Sequence, residues 1–277
     1  MKRRTLIAAI LLSALGVAAY AQNQIQAAVA TKDPTAASLV SNALKVMTPG
    51  AQVTDITISA QVVRNENSDS ETGPVTLEAL SAGDASLTYA LSGGQRSEIV
   101  NPSSNPPGAW SGTDGVWHGM ALHNTWTPAA WFAPALVLEE FLNDPSLTIV
   151  NLGQTSLNGE AVQHLRSWRT LTSTSGAPAD LAIIQSLSTV DIYIDLTSNL
   201  PVALNFNLHP DSNAGVNIPV QILYSNWQSS SGMMLPFHVQ RFFNGNLLDD
   251  ISVSTATVNS GLSPSAFNVP ATSGGVQ

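Results

Sequence analysis

The last third of the chain alternates residue by residue between apolar and polar side chains, and few architectures accept that pattern. Val190, Ile192, Ile194 and Leu196 are separated by Asp191, Tyr193 and Asp195, and Val202, Leu204, Phe206 and Leu208 by Ala203, Asn205 and Asn207. Successive side chains of a strand point to opposite faces, so each run describes a strand with one dry face and one wet face. The polar turn Thr197-Ser198-Asn199 joins the two as a hairpin. Ile218, Val220, Ile222 and Tyr224 continue the pattern. Gln228 to Gly232 then reads as a turn, Leu235 to Phe243 as a strand, Asn244-Gly245 as a tight turn and Leu248 to Val258 as a further strand. The expected unit is an antiparallel meander of half-buried strands.

Upstream, the period changes twice. Asp33-Pro34 is a helix start, with Asp as N-cap and Pro in the first turn. Leu39, Val40, Ala43, Leu44 and Met47 follow at helical spacing until Thr48-Pro49-Gly50. From Ile56 to Val62 the period is two, and strands are also expected at Thr72 to Ser81, Ser86 to Leu91 and Gln95 to Val100. Asn101 to Gly108 is rich in Pro, Ser and Asn and reads as a loop, with a short strand near Val116 to His118. Pro128 to Asn143 is a second helix candidate, and Trp131, Phe132, Ala135, Leu136, Leu138, Phe141 and Leu142 leave it apolar around most of its circumference. Such a helix is buried on several sides or covers something apolar. Pro134 would kink it or mark its true start. Leu147 to Leu152 and Ala161 to Leu171 look like strands, and a third helix is expected from Ala179 to Leu187, opened by Pro178. The fold class is α+β, predominantly antiparallel β.

The first residues give an address. Lys2, Arg3 and Arg4 precede an apolar stretch from Leu6 to Val17, and Ala19-Tyr20-Ala21 has the small-x-small pattern of a cleavage site. A cleavable signal peptide is therefore expected over residues 1–21, with export to the periplasm or beyond the cell. Gln22 stands where a lipoprotein would carry Cys, and no stable membrane span is expected after cleavage. Residues 22–32 read as a flexible leader, 33–270 as a single domain and 271–277 as a disordered tail. The sequence contains no Cys, so the fold rests on its hydrophobic core. The formal charge is −9, and loss of Lys2, Arg3 and Arg4 leaves −12. With basic residues scattered singly, nucleic acid is an unsuitable partner.

No Gly-x-Ser-x-Gly, Walker, His-Glu-x-x-His or dinucleotide fingerprint occurs in the sequence, so it offers no catalytic motif and names no cofactor or metal. His118 and His123, with Asp114 nearby, are the nearest approach to a metal pair, but strand-to-loop geometry would not hold both rings on one face. Glu139-Glu140 and Asp249-Asp250 are adjacent carboxylates whose side chains diverge, and solvated faces are expected for both pairs. Trp110, Trp117, Trp126, Trp131 and Phe132 crowd into one stretch. They fit a core under a long loop, the wall of an apolar ligand site, or rings that stack on sugars.

Asp191-Ile192-Tyr193-Ile194-Asp195 with Leu200-Pro201-Val202, Tyr224-Ser225-Asn226-Trp227 with Gly232 and Leu235-Pro236-Phe237, Asn244-Gly245 and Phe267-Asn268-Val269-Pro270 together resemble LolA-like proteins, the periplasmic lipoprotein-carrier superfamily. The resemblance covers Val190 to Pro270. It implies a curved, open half-barrel sheet covered by about three helices, with residues 101–124 as a loop insert. It also implies a non-catalytic role, in which the space between sheet and helices holds a hydrophobic ligand, a lipid or a lipoprotein acyl chain. On that view Trp131, Phe132, Leu136 and Phe141 line the lid, and Ile192, Leu204, Phe206 and Ile222 line the concave face. The alternative is a carbohydrate-binding or cell-envelope scaffold protein that uses exposed aromatic rings.

Overall fold

The computed structural model describes residues 29–273 apart from 51, 67 and 171–177. The expected signal peptide, most of the leader and the last four residues of the tail lie outside the described residues. Among the described residues, thirteen antiparallel strands form one open sheet, built as two meanders. The first runs β1 (Asp55–Glu66), β2 (Asp69–Leu80), β3 (Ala85–Leu91), β4 (Gly94–Val100), β5 (Gly108–Ser111) and β6 (Trp117–Gly119). The second runs β7 (Leu147–Leu157), β8 (Glu160–Arg169), β9 (Val190–Asp195), β10 (Pro201–Leu208), β11 (Ile218–Ser230), β12 (Met233–Phe243) and β13 (Asn246–Val258). Within each meander every strand pairs with the next in sequence, β6 and β7 form the two edges, and one long-range seam, β1 against β13, joins the two halves. There Ile58 faces Ala256, Val62 faces Ile251 and Arg64 faces Asp249.

The inner face of this half-barrel is covered by helices. In α1 (Pro34–Met47), Asp33 caps the first turn by accepting from the Ala36 N–H at 2.9 Å, and Ala36, Val40, Ala43 and Met47 make the buried stripe. The second helix, α2 (Pro134–Asn143), buries Pro134 through Leu138 and Phe141, and it packs against both α1 and β7. It is thus buried on several sides, as its apolar circumference requires. Side chains of α1, α2, residues 130–133 and the inner strand positions merge into one core. Each such fully buried side chain stabilises the fold by roughly 1.5–3 kcal/mol over an exposed one. The third helix, α3 (Pro178–Ser188), packs on β8 and β10 and buries Leu187 outside that main cluster.

Three local details sharpen or change the reading. The second helix begins at Pro134, the true start that the sequence offered as the alternative to a kink, and residues 129–132 form turns. The ring of Pro134 pushes Ala133 out of the helical region, to φ −122° and ψ 77°, so the helix cannot extend back through it. The 101–124 insert adds two edge strands, and β5 was missed because four residues are too few to display alternation. The third detail is at Thr31 to Asp33, where the expected leader meets the expected domain: these residues pair along the outer edge of β7. The Ile149 N–H donates to the Thr31 carbonyl and the Asp33 N–H to the Ile149 carbonyl, both at 2.9 Å. That pairing covers backbone groups an edge strand would otherwise leave open.

Candidate functional site

Between the inner face of the sheet and the segment Met120–Trp131 lies a cavity of about 450 Å³, within the size range of small-ligand sites. Strand register explains its walls. On one side Phe206 and Leu208 of β10 stand opposite Val220 and Ile218 of β11, and Val220 in turn faces Phe243 of β12. These side chains and Trp131 make an apolar wall. The Tyr224 hydroxyl fixes the cover by donating to the Trp131 carbonyl, and burial pushes that phenol well above its usual range.

The other wall is charged. Asp249 of β13 stands between Arg64 of β1 and Arg241 of β12 in the ladder, and it is 0% exposed. Its carboxylate accepts from Arg64 Nη1 at 2.8 Å and from Arg241 Nε at 2.7 Å. Arg241 Nη2 also donates to the Tyr89 hydroxyl at 3.1 Å, and the guanidinium lies over Trp131 and Phe243, 4.7 and 5.3 Å from their ring centres. Burial works against the charge on Arg241, but Asp249, Tyr89 and Glu98 together outweigh it and the pKa lies above the ordinary value. Burial likewise drives the Tyr89 phenol up. Beside this cluster, Arg96 of β4 grips Glu71 of β2 with two bonds of 3.0 and 2.9 Å and holds that carboxyl low. Glu98, two residues further along β4, also lines the cavity.

The eight residues expected at the site are placed as follows. Trp131 and Phe206 line the cavity. Leu136 lines a second cavity of about 300 Å³, which also holds Trp126, Glu140, Asp144 and Arg169 and shares Thr127, Pro128 and Ala129 with the first. Phe132, Phe141, Ile192, Leu204 and Ile222 line neither and are buried in the core. Trp110 is 42% exposed, lines the larger cavity and stacks on His118 at 4.4 Å. His123 packs edge-on against His209, while Asp114 accepts from the Val116 N–H in its own turn. Among the described residues no group of three or more His, Asp or Glu could hold a metal ion.

The expectation of a solvated Asp249-Asp250 pair is corrected for Asp249, because two inward arginines compensate its charge in the interior. Asp250 points to the other face, bonded to His238 at 2.7 Å and Gln240 at 2.9 Å. Sequence reasoning missed the charged wall, yet a signal was present. Arg64 keeps step with Ile58, Ala60 and Val62, Arg241 with Val239 and Phe243, and Asp249 with Ile251 and Val253. A charge in phase with an apolar stripe faces inward.

No family model and no curated protein sequence matches this chain. Among solved structures it is similar to one named as an outer membrane lipoprotein-sorting protein domain from Vibrio parahaemolyticus. That match has 11% identity and a TM-score of 0.50, and it covers 84% of this chain and 96% of that one. A LolA superfamily protein from Nitrosomonas europaea is matched at 12% identity and TM-score 0.45, covering 84% and 97%. A DUF1329 family protein from Desulfovibrio piger is matched at 10% and 0.47, covering 84% and 96%. At these identities the likeness speaks to architecture, and the argument rests on the first structure together with the strand order and helical cover described above. The fold of this chain is LolA-like.

Proposed function

We propose that the protein is an exported, non-catalytic binder or carrier of a hydrophobic ligand, a lipid or an acyl chain. The cavity between the curved sheet and Met120–Trp131 would hold it. The observation that carries this reading is space. About 450 Å³ stays open beside Trp131, Phe206, Val220 and Phe243, next to a well-buried apolar core. Each CH₂ of a chain entering such a wall gains about 0.8 kcal/mol. The LolA-like fold and the name of the Vibrio domain favour lipid or lipoprotein acyl chains as the ligand class. The basic, apolar, small-x-small start of the sequence favours the periplasm or the exterior as the location.

The test is to recover the exported protein gently, examine it by native mass spectrometry for bound lipid, and titrate it with a solvatochromic acyl probe carrying an uncharged head. Bound lipid, or probe binding at micromolar affinity or better, is expected. Absence of both contradicts the proposal.

One observation favours the second reading, a glycan binder: Trp110 remains exposed. Trp126 is half-buried against the smaller cavity, so a sugar would rest on a single free ring. Retention on glycan columns that is lost in Trp110→Ala, at unchanged stability, would support this reading over the first.

A further inference from the structure

We propose that Glu98 selects the head group of the ligand, so that the cavity takes amphiphiles whose polar end donates hydrogen bonds and carries no negative charge. This rests on reading the cavity as an acyl-chain site. Three arginines stand around the charged wall, and each is already engaged. Arg64 binds Asp249 at 2.8 Å and Glu66 at 2.7 Å, Arg96 binds Glu71, and Arg241 binds Asp249. Against Arg64, Arg96 and Arg241 stand Glu66, Glu71 and Asp249, so the cluster is balanced before Glu98 is counted.

Glu98 is the surplus. It lines the cavity, and among the described residues it makes no hydrogen bond and no ion pair. Its cross-strand neighbours are Leu87 of β3 and Trp110 of β5, neither of which offers it a cationic partner. The remaining ionisable groups that line the same cavity are Tyr89 of β3 and His209 and Asp211 beyond β10, while His118 of β6 stacks on Trp110. Asp211 is occupied by the Ala121 N–H at 2.8 Å and the Asn124 amide at 2.9 Å. Burial holds the Glu98 carboxyl above the usual range, against the opposing pull of Arg241 and Arg64.

The Glu98 carboxyl is half-buried on the cavity wall and, among the described residues, has no protein donor, so its bonding capacity is open to a ligand. A hydroxyl, amide or ammonium head supplies the missing donor beside the apolar wall. Once Glu98 is ionised, a carboxylate head meets a like charge, and the arginines of the wall are already engaged by Asp249, Glu66 and Glu71.

The experiment compares 1-monolaurin, dodecylamine and laurate, which share a twelve-carbon chain. Each displaces the uncharged acyl probe from the full protein at pH 8, in wild type and in Glu98→Gln. Monolaurin, dodecylamine or both should displace at least about tenfold more effectively than laurate from wild type, since like-charge contact in an interface is expensive. In Glu98→Gln that preference should collapse to within about twofold, with laurate gaining. Equal displacement by all three from wild type, or a preference unchanged in the variant, overturns the role of Glu98 while leaving the acyl-chain reading intact. If none of the three twelve-carbon compounds binds, that reading is overturned, and this inference with it.

Discussion

Asp249 and Asp250 are neighbours in sequence with opposite situations. Asp249 is sealed between two guanidiniums, whereas Asp250 is about a third exposed and pairs with His238 across the outer face. Removing one member of a buried ion pair leaves the others uncompensated, so Asp249→Asn should cost about 3–5 kcal/mol. Asp250→Asn should cost about 1 kcal/mol or less, the usual value of a surface pair. Urea denaturation of both variants checks this, and similar losses in the two would contradict the assignment of faces. At this scale the sequence was only partly legible. The alternation that assigns Ile192 and Ile222 to the dry face is visible in any strand reading. Arg64, Arg241 and Asp249 follow the same phase, but charge is ordinarily read as outward, and their mutual compensation depends on strands far apart in the chain.

The β12–β13 hairpin is the element that brings Arg241 opposite Asp249. Its turn has Asn244 at φ 49° and Gly245 at φ 77°, both left-handed, which fits the Asn-Gly pair read from the sequence. A bulge follows at once, so the register shifts between Arg241 and Phe242. Gly245→Ala places a Cβ in a left-handed position and should cost about 1–2 kcal/mol, measurable as a lowered denaturation midpoint at unchanged slope. No loss would mean that the turn adopts another form and that the register is set elsewhere. Elements marked by strong local chemistry were readable: Asp33-Pro34 for α1, Asn244-Gly245 for this turn, Pro178 for α3. The start of α2 was readable as one of two alternatives, and what Pro134 does to Ala133 decides between them. An element that depends on very short pairings was not: β5 is recruited to the sheet by β4 and β6.

The whole molecule depends on one seam that local sequence does not announce. Pairing of β1 with β13 joins residues nearly two hundred positions apart and turns two meanders into one curved sheet. The LolA-like resemblance of Val190 to Pro270 anticipated that architecture, whereas composition and periodicity alone gave only antiparallel β. The cavity was less legible than the sheet, because it is defined by where side chains stop short of one another. Of the residues expected to line it, Trp131 and Phe206 do, while Ile192, Leu204 and Ile222 fill the neighbouring core.

The central claim is that an acyl chain occupies this space. Methyl NMR of the protein titrated with an uncharged twelve-carbon amphiphile tests it most directly. Shifts should concentrate on Val220, Ile218, Leu208 and Met120, which line the cavity, with Ile192 and Val162 undisturbed. Undisturbed cavity methyls at saturating amphiphile, or shifts scattered over the outer face of the sheet, would contradict the account.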